Sequence, residues 1–374
     1  MKQTVYFDHN ATTPVRAEVA DAMAGALVLG GNASSVHGAG RQARQLVEEA
    51  REIIAELVGA SPAQIVFTSG GTEANNLVLR GTECDHILVS AVEHNSVLDA
   101  ADNIEIVPVD GNGVIDLTAL TSRLSEIDGQ VLISVMLANN ETGVIEPIAE
   151  IVRIAKEHGA LVHTDAIQAL GKVNVDWGDL GVDFISLSAH KIGGPQGVGA
   201  IVINEEIPLK SILRGGGQER SRRAGTENVP GIVGFGAAAK LIAGELDQIS
   251  KTQDLRDRME ASIKAKCSDA VIFGESIDRL PNTSCVSMPG VTSETQVMKF
   301  DLEDYMVSAG SACSSGKVQA SHVLKAMGVD EETASTAIRI SLGFGNNSND
   351  VDAFVSQWEK IYARANPDQL MGAA

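Results

Sequence analysis

This sequence predicts an α/β fold, with a mainly parallel seven-stranded sheet flanked by helices and a smaller α+β unit after it. Three observations carry the prediction. The chain has 374 residues, too many for one small core, and 44% of them are apolar while only 3% are aromatic. A core of Val, Ile, Leu and Ala suits buried parallel strands covered by helices. Between about residues 60 and 205, short apolar runs alternate with stretches of helical periodicity, which is the pattern of βα units. Beyond about residue 229 that alternation gives way to a less regular succession of helices and strands.

Residues 41–59, RQARQLVEEAREIIAELVG, place Ala43, Leu46, Val47, Ala50, Ile53, Ile54 and Leu57 on one helical face with charges on the other. QIVFTS (64–69) reads as a strand and TEANNLVLRG (72–81) as a helix. Six more strands follow: HILVSA (86–91), IEIVPVD (104–110), VLISVMLA (131–138), LVHTDA (161–166), DFISLSA (183–189) and GAIVIN (199–204). Between two of them, PIAEIVRIAKEHG (147–159) is a helix that Gly159 ends. A long helical segment starts at VPGIVGFGAAAKLIAGELDQI (229–249) and runs with interruptions towards Lys266. AVIFGE (270–275), TSCVSMPG (283–290), the helix SETQVMKFDLED (293–304), the strand IRISLG (338–343) and a closing helix at 350–365 complete the smaller unit.

A formal net charge of −20 opposes nucleic acid binding, which needs clustered Lys and Arg against phosphate. One glycine-rich basic stretch, LRGGGQERSRRAGT, with Arg214, Arg220, Arg222 and Arg223, is the exception. The cysteines, Cys84, Cys267, Cys285 and Cys313, show neither the spacing of a zinc site nor that of a disulfide framework. With no signal-peptide pattern and no apolar run of membrane-spanning length, the chain reads as reduced, cytoplasmic and soluble.

Five predicted strand ends carry residues suited to chemistry. Lys191 follows the strand ending in Ser188, in SLSAHKIGGPQG, and strand ends of parallel sheets are where ligands bind. In TSGGTEANN a strand stops, Gly70–Gly71–Thr72 turns and a helix begins, which makes an anion site suited to phosphate; the other reading is a plain helix cap at Thr72. Asp165 ends LVHTDA, where it either holds a protonated ring nitrogen or caps a helix, and Gln168 stands one turn on. His94, after HILVSA, could stack on a flat ring and move protons, or be a structural histidine. Asn139 and Asn140 follow VLISVMLA. Together these describe a pyridoxal phosphate site: a Schiff-base lysine, an aspartate for the pyridine nitrogen and a helix start for the phosphate. A sixth signal is SAGSACSSG (308–316), which sets Cys313 among glycines and serines rather than among packing residues.

An ordered set of motifs is similar to the cysteine desulfurases of the nitrogen-fixation and iron–sulfur-assembly type. These are class V, fold-type I pyridoxal phosphate enzymes. The motifs include YFDHNATTP, FTSGGTEANN, EHNSV, NNETG, HTDAIQALGK, SAHKIGGPQGVGA, RAGTENVPGIVG, SAGSACSSG, SHVL and AIRISLG, and they span nearly the whole chain. The resemblance implies a large cofactor domain over 15–250 and a small domain from 1–14 with 251–374. It implies that Lys191 binds the cofactor and moves protons, Asp165 pairs with the pyridinium nitrogen, and Gln168 bonds the ring hydroxyl. His94 stacks on the ring as acid–base, and Gly71, Thr72, Ser188 and His190 hold the phosphate. Thr226 would be a phosphate contact from the other subunit of a homodimer. Arg339 would grip the carboxylate of L-cysteine as a bidentate pair, helped by Asn140. Cys313 would take the sulfur as a persulfide, release L-alanine and pass sulfur to an iron–sulfur scaffold or other acceptor; its one metal role would be as a transient iron–sulfur cluster ligand. Selenocysteine lyase or another class V enzyme is the alternative, and the loop cysteine distinguishes them, since transamination needs no thiol.

Overall fold

The computed structural model describes residues 4–245, 248–310 and 321–367. Its strands are β1 (Val5–Tyr6), β2 (Ile65–Thr68), β3 (His86–Ser90), β4 (Ile104–Val107), β5 (Val131–Ser134), β6 (Leu161–Asp165), β7 (Phe184–Ser188), β8 (Gly199–Ile203), β9 (Thr283–Ser287), β10 (Tyr305–Met306), β11 (Ser308–Ala309) and β12 (Ala337–Ser341). The seven apolar runs read from the sequence form one sheet in the order β2-β8-β7-β6-β5-β3-β4. Every neighbouring pair is parallel except those made by β8, which runs opposite to β2 and β7. The reason is local: a parallel crossover needs a dozen or more residues, and too few separate Ser188 from Gly199.

Alternate residues of each strand enter opposite cores. Leu88, Ile133 and Phe67 pack into the larger apolar cluster with the helices Gly38–Leu57, Ile148–His158 and Val229–Ala243. Their strand neighbours Ile87, Val89, Leu132 and Val66 pack into a second cluster with the helix Gly71–Gly81. Both faces of the sheet are therefore covered, and this explains why its strands read as continuous apolar runs.

A third cluster lies around a separate three-stranded antiparallel sheet, β11-β12-β9, with the helices Ile249–Lys266 and Ser348–Ala365. Phe7, far away in sequence, is fully buried there, edge-on to Phe354, and β1 pairs in parallel with β10. The AVIFGE run supplies only an isolated bridge, Ile272 to Val286. The tight turns that follow Phe273, with Gly274 at φ 73°, take the chain away from β9 before a ladder can form.

Candidate active site

The carboxyl ends of β2, β3, β5, β6 and β7 open on one edge of the large sheet, where Gly71, Thr72, His94, Asn140, Asp165, Gln168 and Lys191 line a single pocket of about 430 Å³; Asn139 does not line it, and its amide donates to the Val92 carbonyl (3.0 Å). Lys191 ends a short turn of helix after β7. Its Nζ donates to the main-chain carbonyls of Asn10 (2.5 Å) and Ala11 (2.8 Å). Burial, aided by Arg339, lowers its pKa to about 8, against the pull of Asp165 and Asp8.

Asp165, at the end of β6, is 6% exposed. It caps no regular helix. One oxygen accepts from the main-chain N–H of Ile167 (3.0 Å) and the other from the Asn75 amide (2.8 Å). Burial raises its pKa while Asn75, Ile167, His94 and Lys191 pull the other way. Among the described residues it has no ion-pair partner within 4 Å, so a buried carboxylate faces the pocket without a fixed cation.

After β2 the helix Gly71–Gly81 starts from Gly70, at φ 154°, a conformation suited to glycine, and no side chain caps it. The capping reading of Thr72 is thereby set aside. Thr72 stands exposed on the pocket wall, and its first-turn neighbour Glu73 is drawn away to Ser69 and Arg223. A Cβ on Gly71 would strike the tip of Ile167. An uncapped helix start, a close backbone approach, an unpaired buried carboxylate and an amine of lowered pKa fit pyridoxal phosphate in both size and charge.

Ser188 and His190 complete this side. His190 shares a hydrogen bond with Thr12 Oγ1 (3.2 Å), and burial beside Lys191 and Lys172 lowers its pKa to about 4. His94 follows β3, and its Nδ1 accepts from the main-chain N–H of Ser96 (3.0 Å). Burial lowers its pKa against the attraction of Asp165. Gln168 lines the pocket with its amide spoken for: Nε2 donates to the Asn10 carbonyl (2.9 Å) and Oε1 accepts from Lys172 Nζ (2.8 Å).

The opposite wall comes from elsewhere in the chain. Arg339, on β12 and 4% exposed, donates to Asp8 Oδ1 (2.8 Å) and to the Asn140 carbonyl (3.0 Å). Asn140 therefore meets Arg339 through its main chain. Thr226 is exposed and outside this pocket. Cys313 lies outside the described residues; the pocket reaches Gly310 and His322 on either side of that segment. The other three cysteines are buried, and burial raises the thiol pKa of Cys84 and Cys285. Among the described residues no group of three His, Cys, Asp or Glu is placed to hold a metal ion, and no helix is long and apolar enough to cross a membrane.

Sequence reasoning assigned no role to four groups that the geometry brings in. Asn75 holds Asp165. Asp8 holds Arg339. Lys172 joins Gln168 and the Asn10 side chain (2.9 Å). Asn10, 1% exposed, also donates from Nδ2 to Thr283 Oγ1 (2.9 Å) and from its main-chain N–H to Ser341 Oγ (2.9 Å). The signal for Asp8 and Asn10 was a polar run beside a short strand, whose partners lie hundreds of positions away. The basic stretch is largely neutralised from within: Arg223 is paired with Glu73 (2.7 Å), and Arg220 and Arg222 lie within 4 Å of Glu205.

The class-V aminotransferase family matches residues 5–354 of the chain. A cysteine desulfurase IscS of Dictyoglomus turgidum is 43% identical, covering 96% of this chain and 95% of its own. An IscS-like cysteine desulfurase of Mycobacterium tuberculosis is 38% identical, covering 98% of each. A NifS-like protein from Rickettsia africae superposes with a TM-score of 0.89 at 37% identity, over 96% of this chain and 99% of that one.

Proposed function

We propose, from the premise that this chain belongs to the class-V aminotransferase family, that it is a pyridoxal phosphate-dependent cysteine desulfurase. The observation that carries the reading is the meeting of Lys191, Asp165, His94 and an uncapped helix start in one pocket whose far wall offers Arg339. When bound, the cofactor supplies an electron sink for the substrate's α-carbon. Lys191 anchors it and, with a lowered pKa, gives and takes protons near neutral pH. Asp165 holds the ring nitrogen, the remaining N–H of Gln168 Nε2 the ring oxygen, and Gly71, Thr72, Ser188 and His190 the phosphate. His94 stacks on the ring. Arg339 takes the carboxylate of L-cysteine, and Asp8 sets the plane of its guanidinium.

Cys313 is the sulfur acceptor. Its thiolate attacks the substrate sulfur, an S–S bond forms as the Cβ–S bond breaks, and Cβ takes a proton to become the methyl group of L-alanine. The persulfide then passes to an iron–sulfur scaffold or another acceptor, with Cys313 a transient cluster ligand in that hand-over. The enzyme works as a homodimer, in which Thr226, exposed and outside its own pocket, reaches the partner's phosphate. Residues 15–250 form the cofactor domain, and 1–14 with 251–374 the small one. The compartment is the cytoplasm, and the acidic net charge favours a protein acceptor over nucleic acid.

The test is release of L-alanine from L-cysteine, with and without a reducing thiol, by the wild type and by Cys313→Ala. Release by the wild type alone supports the loop thiol as acceptor. Equal release by both proteins would overturn that role and favour a lyase.

A further inference from the structure

Three histidines line the pocket, and two of them, His94 and His190, have a part in the function so far. His322 belongs to the SHVL motif and opens the short helix His322–Ala326. Its Nε2 lies 2.9 Å from the main-chain carbonyl of Glu93. A carbonyl only accepts, so Nε2 carries the proton and, in the neutral ring, Nδ1 carries none. Among the described residues nothing bonds Nδ1. His94 is held through its other nitrogen. The main-chain N–H of Ser96 donates to its Nδ1, so its neutral ring has the proton on Nε2. Main-chain groups of one short segment, Glu93 and Ser96, thus hold both neutral rings with the proton on Nε2, but through different nitrogens. His94 keeps an N–H available to donate a hydrogen bond, while His322 keeps a bare Nδ1 available to take a proton.

L-Cysteine arrives with an ammonium group, and only its free amine can react. We propose that His322 is a further catalytic residue, the general base of substrate entry, whose Nδ1 takes the proton that this ammonium must lose. The inference rests on the desulfurase reading above. An N–H bond of the ammonium breaks, an Nδ1–H bond forms, and the pocket's opening returns the proton to solvent. The titratable groups facing His322 are Glu141, from the segment after β5, and His94, with Arg339 beyond Glu141. Glu141 accepts a hydrogen bond from Ser321 (2.5 Å) and so stands where it can stabilise the imidazolium that forms. Arg339, which takes the substrate's carboxylate, is in the same pocket and so brings the ammonium within it.

Two variants test this in the holoenzyme. His322→Gln keeps an N–H for the Glu93 carbonyl and loses the base; His322→Ala opens space for an external one. The readout is the rate of the cofactor's absorbance change on rapid mixing with L-cysteine, from pH 6 to 10 on the order set by amine titration. In His322→Gln that rate should fall about 100-fold at neutral pH and climb with pH as free amine becomes abundant, with cofactor uptake unchanged. In His322→Ala, added imidazole should restore it. A wild-type rate in either variant would overturn the assignment. So would a loss that neither pH nor imidazole relieves, because that marks a structural role. A wild type that takes up pyridoxal phosphate but gives no absorbance change with L-cysteine would instead sink the desulfurase reading itself.

Discussion

The two walls of the pocket are built by different means. One consists of the ends of neighbouring parallel strands, where Asp165, Ser188 and Lys191 are placed by sheet geometry and each arrives with its own strand. The other joins Asp8 and Asn10, near the chain's start, to Thr283, Arg339 and Ser341, near its end, across separations of 273 to 331 positions. The strand-end wall is positioned by the covalent path of the chain. The far wall exists only once three distant segments have packed around buried polar bonds, each of which costs most when left unmade. The comparison teaches that one half of the site can be assembled locally while the other is a product of the whole fold.

The largest effect should come from the strand-end wall. Lys191→Ala should lower L-alanine release by at least about 1,000-fold, since proton transfer and cofactor anchoring go together, while the variant still folds. Substantial turnover by that variant would remove Lys191 from the chemistry.

The same residue gives a pH test on the apoprotein. Burial lowers the Lys191 pKa from 10.5 to about 8. Between those values the unfolded chain binds more protons than the folded one, so stability rises with pH across that window and the cost is full below it. Lys191→Met apoprotein should therefore exceed wild type by about 3 kcal/mol at pH 7, a gain that fades as wild type catches up above about pH 10. Urea titrations at pH 7 and 10 would check it, and a pH-independent difference would contradict the sign.

The far wall should respond more in binding than in chemistry. Arg339→Gln should raise KM for L-cysteine by about 100-fold, the loss of a charge-assisted bidentate contact. Asp8→Asn, which loosens the same guanidinium without removing it, should raise KM by about tenfold with kcat little changed. A fall in kcat as large as the rise in KM would mean that Asp8 acts on the reacting atoms.

Asn10→Ala joins the two walls in one experiment. It removes the side-chain acceptor of Lys172 and Asn282 and the donor to Thr283. The expected loss is about 3 kcal/mol in urea unfolding. A neutral result would mean that the walls are held independently.

Much of this was legible in the sequence. All seven strands of the large sheet were, because strands buried on both faces read as apolar runs. Lys191, Asp165 and His94 were legible for a related reason, since a charge at the end of an apolar run is conspicuous. The ambiguities at Thr72 and Asp165 were not resolvable locally. Whether a hydroxyl or carboxylate caps a helix depends on which N–H groups lie within reach, and here Gly70 starts one helix while Asp165 meets a turn. Arg223 looked like part of a basic patch because its partner Glu73 lies 150 residues earlier.

By itself the sequence determined the sheet, its helical cover and the side chains that chemistry requires at its edge, because periodicity and burial act over a few residues. The tertiary structure alone decided that Asp8 fixes Arg339 and that Asn10 gathers both walls. It also decided that His322 is held through Nε2 by the Glu93 carbonyl, which leaves its Nδ1 bare. Those features depend on which donors and acceptors meet across long stretches of chain, and hydrogen-bond partners at such separations leave no local pattern to read.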